Sequence, residues 1–227
     1  MTYGMETVWI TYISTFMIGY LIGSIPFGLL LTKMAGMGDI RSIGSGNIGA
    51  TNVLRTGNKK LALLTLILDG AKGAAAFFAA YLYFHLYDCS VMGACDPDAP
   101  CTCYMPSEIQ MLSFAAGLAA IIGHCHPVWL KFKGGKGVAT TLGTLLIAVP
   151  YTGLIACASW LLSAIISRIS SLSALIAVLT TPLTAFYFYS FEASILCLLI
   201  TILVWIKHAA NIRRLLKGEE PKIGQKK

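Results

Sequence analysis

Long stretches of this chain carry no charge: no Asp, Glu, Lys or Arg occurs from Val8 to Thr32, from Gly137 to Ser167 or from Ile169 to Phe191. A helix needs about 20 mostly apolar residues to cross the hydrocarbon of a bilayer. Backbone polar groups in lipid must be satisfied internally, which restricts such runs to helices or a closed barrel. Charged residues make up 12% of the 227 residues, against about 25% in an average soluble domain. That is too few to cover a water-facing surface, so the chain is expected to be an all-α polytopic membrane protein.

The net charge of +7 would suit nucleic acid, but its distribution argues for a membrane and no nucleic acid. The 17 Lys and Arg fall at 33–60, at Lys72, at 131–136, at Arg168 and at 207–227. No basic residue lies between Leu86 and Leu130, where Asp88, Asp96, Asp98 and Glu108 occur, and Glu6 and Glu192 also stand apart from basic residues. This is the bias of cytoplasmic loops toward Lys and Arg. The stretch from Val8 to Leu31 is too long for a signal peptide and is followed by no small-residue cleavage site. It reads as a first span, covering about Val8 to Thr32.

A second span is expected to end near Tyr87 and a third to cover about Glu108 to Val128. Gly137 to Arg168 holds Pro150-Tyr151-Thr152-Gly153 near its middle and reads as two short spans. Leu172–Tyr189 and Phe191–Ile206 form a last hairpin. The result is seven transmembrane helices, some short, with the N-terminus extracytoplasmic and the C-terminus cytoplasmic. A five-span alternative, with 143–166 as one helix, would place Arg168 outside. One integral membrane domain covers 1–227, with an extracytoplasmic loop at 88–107 and cytoplasmic motif regions at 36–60, 131–137 and 207–227. Cys89, Cys95, Cys101 and Cys103 cluster in that external loop, where disulfides persist. A Cys101–Cys103 link would strain bridge geometry.

Three polar motifs stand out. In Asp39-Ile-Arg41-Ser-Ile-Gly44-Ser45-Gly46-Asn47-Ile-Gly49-Ala-Thr51-Asn52-Val-Leu-Arg55, closely spaced glycines let backbone N–H groups converge on an oxyanion. Ser45, Asn47, Thr51 and Asn52 add neutral hydrogen-bonding groups, and Arg55 can fork onto a phosphate. The bland reading is a polar interhelical loop. The second motif, Lys131-Phe-Lys133-Gly134-Gly135-Lys136-Gly137, runs into an apolar helix whose N-terminus is an anion site by geometry and dipole. It departs from a nucleotide P-loop, because Leu130 and Gly137 stand where Gly and Ser or Thr are required. Alone it suits a basic membrane-flanking turn equally well. In the third, His208 and Asn211 are three apart and would share a face of a continuing helix. A histidine at a helix exit suits proton transfer or hydrogen bonding to a hydroxyl. Taken alone, the pair would pass for interfacial polar groups.

Asp69 and Lys72, also three apart, read as a structural ion pair on a helix surface within the second span, where charges are costly and usually paired. His124, Cys125 and His126 are adjacent candidate ligands without a distant fourth, a poor zinc site. No metal or other cofactor is implied.

Together these motifs resemble the bacterial acyl-phosphate:glycerol-3-phosphate acyltransferase family, PlsY. The matching pieces are Gly23-Ser-Ile-Pro-Phe-Gly28, Asp39-Ile-Arg41, Gly44 through Arg55, Leu68-Asp-Gly-Ala-Lys-Gly73, Gly123-His124, Pro127-Val128, Phe132 through Thr140 and His208 through Glu220. The resemblance implies acyl transfer from acyl phosphate to the 1-hydroxyl of glycerol 3-phosphate, giving lysophosphatidic acid and phosphate in phospholipid biosynthesis. It implies a multi-pass enzyme of the bacterial inner membrane with its site facing the cytoplasm. It makes Ser45 and Arg55 essential, assigns phosphate binding to Lys136 and to Gly134, Gly135 and Gly137, and carries over His208 and Asn211. Glu220 looks structural, and Ser171 lines the phosphate site by a looser match. The cysteine-bearing loop departs from the family's usual short connection. An acyl-CoA enzyme with a His-x4-Asp pair lacks its parts here, since no histidine has Asp five residues later. The rival from another class is a transporter of a phosphorylated metabolite, although no pair of broken midplane helices supports it.

Overall fold

The structure, a computed structural model, describes residues 5–44, 46–86 and 104–224. The four loop cysteines lie outside them. Ten α-helices are described: α1 Met5–Gly23, α2 Phe27–Met34, α3 Ala50–Leu54, α4 Lys59–His85, α5 Pro106–Cys125, α6 Val138–Ala148, α7 Pro150–Ser167, α8 Ser170–Phe188, α9 Phe191–Lys207 and α10 Ala209–Leu216. Five segments are long and apolar enough to cross a membrane: Trp9–Met34, Lys59–His85, Pro106–Leu130, Pro150–Ser167 and Ser170–Phe188. α9 and α10 meet the same length and composition only when taken together, and the chain bends by 65° between them.

One boundary differs from the sequence reading, and the break at Pro150 matches it. The first span is not one helix, because Ser24-Ile25-Pro26 separates α1 from α2. Proline lacks the N–H that a continuous helix needs and crowds the preceding turn. The 143–166 stretch is not one helix either: α6 stops at Ala148 and α7 starts at Pro150, with proline in the first turn where its missing N–H costs nothing. At 11 residues, α6 is about 16 Å long, half the depth of a bilayer core.

Helices without a water-driven force between them associate by close packing, and small residues permit it. A methyl group on Gly23 would strike the Ala120 backbone, and one on Gly143 would strike Gly70, so α1 meets α5 and α4 meets α6 backbone to backbone. The main core joins Phe77, Phe114, Ile121, Leu145, Val178, Ile200 and Val204. A smaller core of Leu29, Ile40, Ile48, Val53 and Ala62 fixes the first motif loop against α2 and α4. All three motifs therefore reach the same end of the bundle.

Candidate functional site

The first motif is organised by Asn52, only 1% exposed. Its side-chain amide donates to the carbonyls of Ile40, Ile43 and Asn47 at 2.9, 3.1 and 2.8 Å. Its amide is thus committed to shaping the loop, a different task from the substrate contact its residue type suggested. Gly44 takes a left-handed φ of +59°, and a methyl there would collide with the Arg55 side chain and Asn52 Oδ1. The exposed Arg55 guanidinium therefore lies across the glycine. Asn47 Oδ1 accepts from the Ile48 N–H at 3.0 Å. Thr51 Oγ1 approaches Ser170 Oγ at 3.5 Å, linking this loop to the start of α8. Ser45 lies outside the described residues.

The second motif is a compact turn at the head of α6. Gly137 caps α6 with φ +82°, a conformation that side chains disfavour. The first helical hydrogen bond runs from Thr141 N–H to Gly137 O at 2.8 Å, which leaves the N–H groups of Val138 to Thr140 without helical partners. Gly135 donates its N–H to the His124 carbonyl at 2.9 Å. Burial pushes the Lys136 ammonium down to about 8, against the pull of Glu220 and with further lowering from Arg214 and Arg55. Charges from all three motifs therefore meet at Lys136.

The third motif does not continue its helix: the chain bends by 65° between α9 and α10, at His208. His208 remains 2% exposed. Its Nδ1 lies 2.8 Å from the Val204 carbonyl, which can only accept, so Nδ1 carries the hydrogen and Nε2 keeps a lone pair. Burial, opposed by that hydrogen bond, holds His208 down at about 4, with Lys136 lowering it further and Glu220 raising it. The imidazole is neutral near pH 7.

Glu220 ties the site together. It accepts from Ser171 Oγ at 2.7 Å, from Asn211 Nδ2 at 2.5 Å and from Arg214 Nε at 2.7 Å. Burial raises its carboxyl, but these three donors and the Arg214 charge outweigh it and leave the group below the ordinary carboxylate range. The Ile223 N–H, just beyond, donates to the Arg168 carbonyl at 2.6 Å, so the tail closes over the α7–α8 turn. Ser171 and Asn211 thus spend a donor each on Glu220.

Three residues went unselected in the sequence. Arg214 falls within the third motif, and its spacing of six before Glu220 is its one sequence signal. Lys207 donates to the Cys125 carbonyl at 2.9 Å, and Tyr20 donates to the His126 carbonyl at 2.7 Å; neither leaves a sequence signature. Asp69 and Lys72 are ion-paired at 3.0 Å, but at 3% and 2% side-chain exposure they are buried and do not lie on a helix surface. Gly70 and Gly73 let α6 press onto the same helix face, which encloses them.

With Arg55, Lys136 and Arg214 around a glycine-rich turn and a helix N-terminus, the arrangement can bind phosphate groups. The neutral His208 and the amide of Asn211 can orient a hydroxyl beside them.

The sequence model of a family described as glycerol-3-phosphate acyltransferase matches residues 13–218. The chain is 51% identical over 208 residues to a glycerol-3-phosphate acyltransferase of Sinorhizobium medicae, covering 92% of this chain and 90% of that one. It is likewise 51% identical over 209 residues to one of Paramagnetospirillum magneticum, covering 92% of each. Its fold is similar to the crystal structure of PlsY, an integral membrane glycerol 3-phosphate acyltransferase, in its glycerol 3-phosphate form. The TM-score is 0.78 at 33% identity, over 94% of this chain and 96% of that one. The lysophosphatidic acid form of the same protein matches with a TM-score of 0.76 at 32% identity, over 94% of this chain and 95% of that one.

Proposed function

The chain belongs to the glycerol-3-phosphate acyltransferase family, and on that premise we propose that it acylates the 1-hydroxyl of glycerol 3-phosphate from an acyl phosphate donor. The transport alternative gives way to the family. The observation that carries the donor assignment is the meeting of Arg55, Arg214 and Glu220 at Lys136: two phosphate-bearing substrates need more than one cation. An acyl phosphate is already activated, so the protein's task is to align it and to stabilise the charge that develops on the carbonyl oxygen.

The glycerol hydroxyl attacks the acyl carbon directly, the bond from that carbon to the phosphate oxygen breaks, and inorganic phosphate leaves with the displaced electron pair. His208 Nε2 accepts a hydrogen bond from the hydroxyl and orients it. With its imidazole held at about 4, His208 is a poor proton acceptor. The departing phosphate takes the proton, since the second ionisation of a phosphate lies at roughly 6. Arg55 and Lys136 hold phosphate with Ser171 lining that side, Asn211 lines the hydroxyl side, and Ser45 hydrogen-bonds without forming an acyl ester. Thr51 and Asn47 contribute at the rim, and Asn52 acts through the loop it braces.

The remaining placement follows the charge bias. Seven helical passes are counted when α6 is included, with the N-terminus outside, and all three motif regions face the cytoplasm at the inner membrane. The cysteine-bearing loop then lies on the far side, away from the chemistry.

Purified protein in lipid, given palmitoyl phosphate and glycerol 3-phosphate with a chelator present, is expected to release equimolar lysophosphatidic acid and phosphate and to ignore palmitoyl-CoA. Turnover with palmitoyl-CoA alone would overturn the donor. A radiolabelled acyl group trapped on Ser45 would overturn direct attack.

A further inference from the structure

Beneath the glycine turn lies a cluster of ionisable side chains that none of the roles above uses. Asp69 and Lys72 come from α4 and His124 from the last turn of α5, and each is at most 4% exposed. Lys72 Nζ lies 3.0 Å from Asp69 Oδ1, without the alignment of a hydrogen bond, and donates to the Ile25 carbonyl at 2.7 Å in the break between α1 and α2. His124 Nδ1 stands 3.6 Å from the same Asp69 oxygen. Charges buried among apolar helices are expensive, and packed hydrocarbon usually stabilises a fold as well. Stability by itself is a weak reason for this cluster.

What lies on top of it is a better one. A methyl on Gly135 would run into the His124 ring at Nε2, and one on Gly134 would run into the His124 carbonyl and Pro127. The Gly135 N–H is bonded to that same carbonyl at 2.9 Å. One histidine therefore meets the turn with both its ring and its backbone. Two consecutive glycines have the largest conformational freedom of any dipeptide, and Lys136 follows them directly. The ring torsion of histidine is soft, and the Asp69 carboxylate 3.6 Å from Nδ1, beyond hydrogen-bond reach, biases the ring plane electrostatically.

We propose that His124, oriented by Asp69 and Lys72, is a positioning residue for the second motif. Its imidazole is the platform that fixes the height of Gly135 and so the direction of Lys136. The inference rests on the reading of 134–137 as a phosphate-binding turn. Lys207, next to His208, bonds the neighbouring Cys125 carbonyl, so the same helix end also sets the spacing between Lys136 and His208.

The test is a double-mutant cycle in full-length protein, read as kcat and KM for glycerol 3-phosphate and palmitoyl phosphate, with Tm for each variant. His124→Asn keeps a donor toward Asp69 and removes the ring. It is expected to raise the KM of a phosphate-bearing substrate by about tenfold or more, because small misplacements of binding groups carry penalties up to about a hundredfold. Gly135→Ala pushes a methyl into the ring, and it is expected to lose most activity. Joined with His124→Ala or His124→Asn, which open that space, Gly135→Ala is expected to cost less than it does alone. Residues that do not touch would instead multiply their losses. Running the cycle with both histidine variants keeps a reading if one fails to fold. The double variant Asp69→Asn, Lys72→Met removes the ion pair without stranding a buried charge and is expected to reproduce the KM rise. Multiplicative losses, or a His124→Asn enzyme with unchanged KM, overturn the proposal. Lys136→Met separates the premise: if it leaves both KM values unchanged, the phosphate-binding reading of the turn itself falls.

Discussion

At the end of the bundle remote from the motifs, Phe84 packs edge-on against Tyr104 with ring centroids 4.9 Å apart. Ile109 and Leu112 complete that cluster, and the Tyr189 hydroxyl accepts from the Tyr151 N–H at 2.9 Å. At the motif end the chain is turned by glycines at positive φ, Gly44, Gly46, Gly57 and Gly137 among them, and held by amide and carboxylate hydrogen bonds. The aromatic end uses large side chains with few rotamers and gains its rigidity chiefly from packing. The motif end gives up packing for directional bonds around a cluster of positive charge. Such a cluster is self-repelling until an anion arrives, so a binding end needs a rigid scaffold behind it. The short α6 is the hinge of this division, since it delivers its N-terminus to the site while its C-terminal Ala148 borders a recess of about 490 Å³ with Phe78, Tyr81, Ile109 and Gln110.

Variants at the two ends should separate turnover from folding. The largest effect is expected for Arg55→Ala: a loss of about a thousandfold in kcat/KM, the scale of removing a charge-stabilising donor, with Tm unchanged because the side chain is exposed. A matching fall in Tm would mean that the motif end is scaffold as well as site. Glu220→Gln should cost both. It keeps the size of the hub but weakens hydrogen bonds whose charge-assisted form contributes roughly 1.5–3 kcal/mol each, so activity and Tm fall together. Thermal melts alongside the assay would sink this if only one moved.

Phe84→Ala is the converse, destabilising by about 3 kcal/mol as a buried aromatic truncation does, with kcat and KM of the folded enzyme kept. A changed KM would erase the contrast between the two ends. A gentler probe is pH. Lys136 is charged below about 8 and neutral above it, so kcat/KM should fall by about tenfold per unit on the alkaline side. Lys136→Arg, which stays charged, should remove that limb. On the acid side, His208 remains neutral down to about 4, and no limb from it is expected near 6.5. An acid limb at 6.5 lost in His208→Gln would restore histidine as the base.

The sequence by itself determined the all-helical membrane class and the gathering of the polar motifs at one end, because the bilayer constrains length and charge locally along the chain. It also exposed Arg55, Lys136, His208, Asn211 and Glu220, since glycine-rich and charged runs between apolar segments leave few other places for chemistry. It did not reveal that Asn52 braces a loop, because that role consists of three carbonyls 5 to 12 residues away. It did not reveal the bend at His208 or the break at Ile25. The partners there come from elsewhere in the chain: Lys136 acts on His208, and Lys72 takes up the Ile25 carbonyl freed by the break at Pro26. Nor could it place His124 under Gly135, or Arg214 beside Lys136. Those contacts join helices that are adjacent only once glycines at 19, 23, 70, 73, 117 and 143 have let the backbones close. Tertiary packing decided which polar residues stay available at the motif end and which hold the others in place, because hydrogen bonds and burial act across space and leave no period along the chain.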